Sequence, residues 1–181
     1  MATIRAHEFI SIDGVFESPS WTAEFGFDPK MGETLAAITG EADAILLGRT
    51  THEMFAPAWR ERAVAADPGA PFFIEPEKFV VGADEPAEEW ANTTRLGPYD
   101  AAVLRDFKDS RNGSIYVSGS GQLVRGLIAD RLLDELHLFV YPIALGSGER
   151  LFAQDGPTRL ALRASEIYAN GVVYLRYAPA V

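Results

Sequence analysis

The chain has 181 residues, a formal net charge of −10 at pH 7, no cysteine, and hydrophobic and charged fractions of 48% and 23%. That length sustains one sizeable core, burying about 70% of the surface that the unfolded chain exposes. The missing cysteines exclude disulfides, Cys-ligated zinc, iron–sulfur clusters and thiol nucleophiles, and the negative charge argues against nucleic acid, whose phosphates are neutralised by Lys and Arg.

Ile4, Ala6, Glu8 and Ile10 alternate with Arg5, His7, Phe9 and Ser11, which predicts a strand over residues 3–10. Nothing here resembles a secretion signal, since no basic region precedes an apolar run. No stretch of about 18 apolar residues occurs later, so the chain is expected to be cytoplasmic and off the membrane. The sequons at Asn92 and Asn112 are then chance matches.

Residues 11–29, SIDGVFESPSWTAEFGFDP, show neither a period of 2 nor one of 3.6. A structureless stretch of that length is usually functional, so it is a candidate lid or pocket wall. Residues 30–39 read as a helix stopped by Gly40, with Met31, Leu35 and Ile38 on one face. Residues 44–47 (AILL) read as a buried strand, and GRTTHEMF as turn and helix. KFVV, residues 78–81, is another strand. Pro98 is expected to start a helix lined by Ala101, Leu104 and Phe107. A strand at 115–117, a helix over 120–129 and a strand at 136–141 (LHLFVY) come next.

The chain closes on two apolar runs, 159–168 and 172–177, separated by Ala169-Asn170-Gly171, a strong hairpin signal. Alternating strands and helices followed by a hairpin predict an α/β fold with a mostly parallel, helix-covered sheet and an antiparallel edge. No repeat or linker divides residues 1–181, so one domain is expected.

Two turns stand out. Gly119-Ser120-Gly121-Gln122-Leu123 follows one strand, and Gly48-Arg49-Thr50-Thr51 follows another. Glycine between strand and helix presents bare backbone N–H groups to a phosphate. Arg49 adds a planar fork matched to phosphate oxygens, and two such turns on one sheet suit the two ends of a dinucleotide. The competing reading makes each turn a plain helix start. Neither turn is a full Rossmann fingerprint, and no P-loop is present.

LLGRTTHEMF, KFVV, IYVSGSGQLVRGLIADRLLDELHLFVYPIALGSGERLF and the early SIDG together resemble the dihydrofolate reductase superfamily, in particular stand-alone relatives of the riboflavin-biosynthesis reductase domain, the RibD C-terminal group. The resemblance implies a dihydrofolate reductase-like three-layer fold, a homodimer, and NADPH as hydride donor, with NADH as the alternative. It implies that Gly48, Arg49, Thr50 and Thr51 hold the cofactor's phosphates, Arg49 facing the 2′-phosphate. Gly119, Ser120, Gly121, Gln122 and Leu123 then meet the pyrophosphate. One departure is the acidic run Gly82-Ala83-Asp84-Glu85 after KFVV, where an arginine is common; carboxylates there repel a 2′-phosphate.

By the same resemblance, Asp13 of the S-x-D-G motif lies near the nicotinamide and is the catalytic candidate, although Asp-Gly is also an ordinary turn pair. Trp21 and Phe25 are candidate walls for a small-molecule substrate, or plugs on the core. Asp28 stands roughly where dihydrofolate reductases bind the pterin, or simply starts a helix. Gly146 and Gly148 permit close backbone approach near the nicotinamide. His7, His52 and His137 lack ligand spacing, so no metal is expected. Trp59 and Trp90 read as packing residues, and Glu88-Glu89 and Asp134-Glu135 as solvated surface or a helix end.

The expected function is reduction of a C=O or C=N bond in a small molecule. Its rivals are a non-catalytic nucleotide-binding protein on the same fold, favoured by the Gly82–Glu85 run, and a riboflavin-pathway reductase. The latter needs basic groups for a ribose phosphate, which residues 11–29 lack.

Overall fold

The computed structural model describes residues 1–62, 67, 69–152 and 156–180. Its strands are β1 (Thr3–Ser11), β2 (Ala42–Gly48), β3 (Glu77–Val81), β4 (Thr93–Gly97), β5 (Ser114–Ser118), β6 (Glu135–Tyr141), β7 (Leu160–Ile167) and β8 (Val173–Pro179). Its helices are α1 (Pro29–Gly40), α2 (Arg49–Trp59), α3 (Ala70–Ile74), α4 (Ala101–Asp109) and α5 (Gly121–Ala129), with a short 3-10 turn at Pro19–Phe25. The strands form one sheet in the order β4-β3-β2-β5-β1-β6-β8-β7. It is parallel from β4 to β6, and β8 runs antiparallel to both β6 and β7. The expected architecture is thus the observed one, a dihydrofolate reductase-like layering of helices on both faces of the sheet. No helix among the described residues is long and apolar enough to cross a membrane.

Ile4, Ala6 and Ile10 of β1 and the facing positions of β2 and β5 pack with Leu104 of α4 and Leu123, Val124 and Leu127 of α5. The opposite face buries Ile45, Leu47, Tyr116 and Phe139 against Met31 and Ile38 of α1 and Ala56 of α2. Trp59 stacks on Phe73 of α3 at 4.0 Å, and Trp90 is buried, so both are packing residues.

Three expectations change. Helix α4 starts at Ala101 rather than Pro98, because the Asp100 carboxylate accepts from the N–H groups of Ala102 (2.8 Å) and Val103 (3.2 Å) and caps the first turn. Asp134 is drawn into an ion pair with Lys108 at 2.6 Å and also accepts from Ile4 N. Glu135 meets Arg5 at 3.3 Å and His137 at 3.1 Å, so neither acid is free surface. The apolar strand LHLFVY, which adds to the expectation of a homodimer without locating its interface, is not a free face. It forms β6, between β1 and β8, and its hydrophobicity is consumed inside the sheet.

The register of β1 creates the opening that matters for function. β1 pairs with β5 from Thr3↔Ser114 to His7↔Ser118, where β5 ends. On its other side β1 continues with β6 as far as Ser11↔Tyr141. From Glu8 onward, the β5-facing edge of β1 has no strand beside it. The connections through α1 and α5 leave this place in opposite directions across the sheet, the arrangement that opens a crevice at strand carboxyl ends.

Candidate functional site

A cleft of about 830 Å³ lies at these carboxyl ends, between the start of α2, the start of α5 and the middle of β1. All nine residues of the two glycine turns line it: Gly48 to Thr51 and Gly119 to Leu123. Gly48 and Ser120 precede α2 and α5 without any side-chain cap, whereas Asp28 caps α1 and Asp100 caps α4. Four unsatisfied N–H groups begin every helix. Among α1, α2, α4 and α5, the helices longer than five residues, the two that face the cleft are those without a side-chain cap; the short α3 also lacks one.

The turns are stitched together. Gly48 N donates to Ser120 Oγ at 2.8 Å, and Gly119 N donates to His7 O at 3.3 Å. Ser120 sits at φ +64°, a left-handed conformation that costs a non-glycine residue about 1 kcal/mol or more. Its hydroxyl bond across to β2 is the compensating contact. A Cβ on Gly48 would stand 3.3 Å from Ser120 Cβ, so a side chain there would press Ser120 back by a few tenths of an ångström. A Cβ on Gly121 would overlap the Phe16 ring, which rests on the first residue of α5. The space beside Gly121 thus belongs to Phe16, and not to bare backbone approach as its sequence position implies. Leu123 is buried in the core, so its side chain serves packing.

On the α2 side, the Arg49 stem lies over Gly82, where an added Cβ would sit 2.8 Å from Arg49 Cβ. Arg49 Nη1 donates to Glu53 Oε1 at 2.9 Å, and the same oxygen accepts from Ala87 N at 3.1 Å. Arg95, on the unforeseen strand β4, donates to Ala83 O at 2.9 Å and pairs with Glu85 at 3.1 Å. The acidic run after β3 therefore has an arginine after all, supplied from the next strand.

The middle of β1 holds two ionisable residues that the sequence reading did not single out for chemistry. His7 Nδ1 bonds to the Tyr116 hydroxyl at 2.9 Å, and its Nε2 is buried with no partner among the described residues. Burial, reinforced by nearby His137, lowers its pKa to about 3, so the ring is neutral. Glu8 is 3% exposed, and its Oε1 is likewise buried without a partner among the described residues. Burial raises its pKa to about 8, with Arg125 pulling the other way. A visible signal existed: Glu8 breaks the apolar register Ile4, Ala6, Ile10, and a carboxyl on an inward face is rare without a reason.

The remaining candidates stand outside the cleft lining. Asp13 accepts from Ser11 Oγ at 2.6 Å and Leu145 N at 3.1 Å on one oxygen. Its other oxygen accepts from Gly146 N at 2.9 Å and Arg150 Nη2 at 3.2 Å. These donors, the Ser11 hydroxyl foremost, hold its carboxyl well below the usual carboxylate range. Held as a carboxylate by these donors, Asp13 clamps the loop after β6. Gly146 serves that clamp, and Gly148 packs its backbone against Val15. Asp28 caps α1 through Lys30 N and accepts from Ala169 N at 2.8 Å with its second oxygen, which ties the start of α1 to the closing hairpin. Trp21 and Phe25 pack edge-on against Tyr141 at 5.4 and 5.5 Å, as core plugs. The part of the irregular stretch that does wall the cleft is Phe16 to Pro19.

The family model of the RibD C-terminal domain matches residues 2–174. The chain is 26% identical to the uncharacterized protein YwjB of Bacillus subtilis (strain 168) over 168 residues, 90% of each chain. A putative riboflavin biosynthesis protein from Shewanella sp. PV-4 superposes with a TM-score of 0.79 at 17% identity, covering 100% of both chains. The dihydrofolate reductase from Enterococcus faecalis, complexed with NADP(H), superposes with a TM-score of 0.64 at 14% identity over 99% of this chain and 97% of its own. At these identities the structural likenesses are likenesses of fold.

Proposed function

The chain belongs to the RibD C-terminal domain family, within the dihydrofolate reductase superfamily, and on that premise we propose that it is a nicotinamide-dependent reductase acting on a C=O or C=N bond of a small molecule. The observation that supports this is the meeting of two uncapped helix N-termini across one cleft. The amides at the starts of α2 and α5 suit a pyrophosphate, and Arg49 suits an adenosine phosphate. The open edge of β1 beyond Ser118 leaves room for a flat ring and an acceptor. When bound, the cofactor supplies a hydride; the protein aligns the partners and excludes water.

NADPH is the proposed cofactor, with NADH admitted because Arg49 already shares its guanidinium with Glu53. The pairing of Glu85 with Arg95 offsets part of the repulsion that favours a non-catalytic role. Glu17 and Glu149 line the cleft beside the neutral Glu8 and give that end a negative field, so the acceptor is uncharged or cationic rather than phosphorylated. That ranks a riboflavin-pathway substrate with a ribose phosphate second. A homodimer is the proposed assembly, and the outermost strand β7, with Ile167 and Leu162 exposed, is an edge open to a second copy. Calorimetric titration tests the reading: NADPH should bind with a Kd at micromolar level or tighter. The absence of both heat and a thermal shift with NADPH and with NADH would overturn it.

A further inference from the structure

Glu8 is placed as a catalytic group rather than as a structural carboxylate. Its neighbours on the same register are Ile4, Ala6 and Ile10, all buried in the apolar core. It lies at the first position of β1 whose β5-facing edge has no strand beside it, and it lines the cleft with the two turns. A buried carboxyl ordinarily finds donors, and even the half-buried Asp13 has four. Glu8 Oε1 instead has none among the described residues. An orphaned acceptor in a ligand cleft marks a group whose partner arrives with the ligand.

Resting on the reductase reading, we propose that Glu8 is the general acid, delivering a proton to the heteroatom of the C=O or C=N bond as its carbon receives hydride. The Glu8 O–H bond breaks and a new bond from that proton to oxygen or nitrogen forms. The π pair of the acceptor moves onto the heteroatom, and the carbon gains the hydride and its two electrons from the reduced nicotinamide, which is oxidised. The acceptor leaves as an alcohol or amine, Glu8 is left as carboxylate, and it regains its proton from solvent once the cleft opens. The need for a neutral carboxyl agrees with its raised pKa of about 8.

The charged and titratable groups around it have distinct parts. Arg125 of α5 opposes the neutral form, and Tyr116 of β5 and His7 of β1 are uncharged near neutrality. Glu17 and Glu149 line the same cleft and disfavour a further negative charge, while Arg49 and Tyr99 line it as well.

Three measurements test the assignment with Glu8→Gln, which keeps the shape and removes the proton, and with Glu8→Asp, which keeps the carboxyl. Infrared difference spectra of the protein without cofactor should show a neutral-carboxyl band that is absent in Glu8→Gln and fades as pH rises through about 8. A Glu8 already ionised at pH 6 overturns the inference. With NADPH, reduction of 4-nitrobenzaldehyde, which needs a proton, should fall by about 10²–10⁴-fold in Glu8→Gln and be partly regained in Glu8→Asp. Hydride transfer to N-methylacridinium, which needs none, should stay within about threefold, as should the NADPH Kd. Equal loss with both acceptors makes Glu8 an orienting group and overturns the inference, as does undiminished aldehyde reduction. Failure of the wild-type protein to bind NADPH refutes the reductase reading itself, a result separable from both.

Discussion

Glu8→Gln should stabilise the protein, and by an amount that grows with pH. In the unfolded chain Glu8 ionises near its ordinary value of 4.5, whereas in the folded protein it keeps its proton up to about 8. Between those values the unfolded state has released a proton that the folded state still holds, so wild-type stability falls as pH rises. Each pH unit in the window is worth about 1.4 kcal/mol. The full span of about 3.5 units gives a ceiling of about 5 kcal/mol, and water entering the cleft lowers the expectation to about 2–4 kcal/mol. His7 acts in the opposite sense: folding holds it neutral, so its contribution is lost as pH drops below 6.5 toward about 3. That contribution is common to wild type and variant and cancels in their difference. Urea unfolding at half-unit steps from pH 4.5 to 9 gives the comparison. The two proteins should nearly match at pH 4.5, diverge in favour of Glu8→Gln up to about pH 8, and run parallel above. A constant difference across the whole range would refute the claim that Glu8 is buried and neutral.

Gly121→Val should lower Tm, because the new side chain meets the Phe16 ring, and Phe16→Ala in the same chain should restore most of the loss; no restoration would mean that the ring is not the obstacle. Arg49→Ala should weaken NADPH by about tenfold, the low end for a charge-assisted contact since Glu53 competes for the guanidinium, and should leave NADH within about twofold. Glu53→Gln should shift the same ratio toward NADPH, both effects read by titration at fixed ionic strength. Asp13→Asn should speed amide hydrogen exchange at Leu145 and Gly146, which donate to its carboxylate, with NADPH affinity unchanged to within a few-fold; a selective loss of NADPH binding would return Asp13 to the site.

The parallel sheet was legible because its strands are buried on both faces and read as continuous apolar runs: AILL, KFVV, IYV and LHLFVY. The closing hairpin was legible from Asn170-Gly171. Strand β4, TTRLG, was not, since it is short, polar and half-exposed at the sheet edge and exists through its pairing with β3. Missing it hid Arg95, and with it the partner of Glu85. Helix α3, Ala70–Ile74, is too short to show a period. The two glycine turns were found by local chemistry, and their convergence on one cleft agrees with that reading. The contacts that Asp13, Trp21, Phe25 and Asp28 make within the fold were not legible in the sequence. Their partners, Leu145, Gly146, Arg150, Tyr141 and Ala169, lie more than 100 residues away.

The central claim is that one dinucleotide spans the two helix starts with its reactive end at β1. A crystal structure of the protein with NADPH tests it directly. The account predicts a pyrophosphate held by the first amides of α2 and α5, the 2′-phosphate beside Arg49 over Gly82, and the nicotinamide in the opening beyond Ser118 within reach of Glu8. A nucleotide bound elsewhere on the molecule, or lying in the cleft with its adenine toward Glu8, would contradict it.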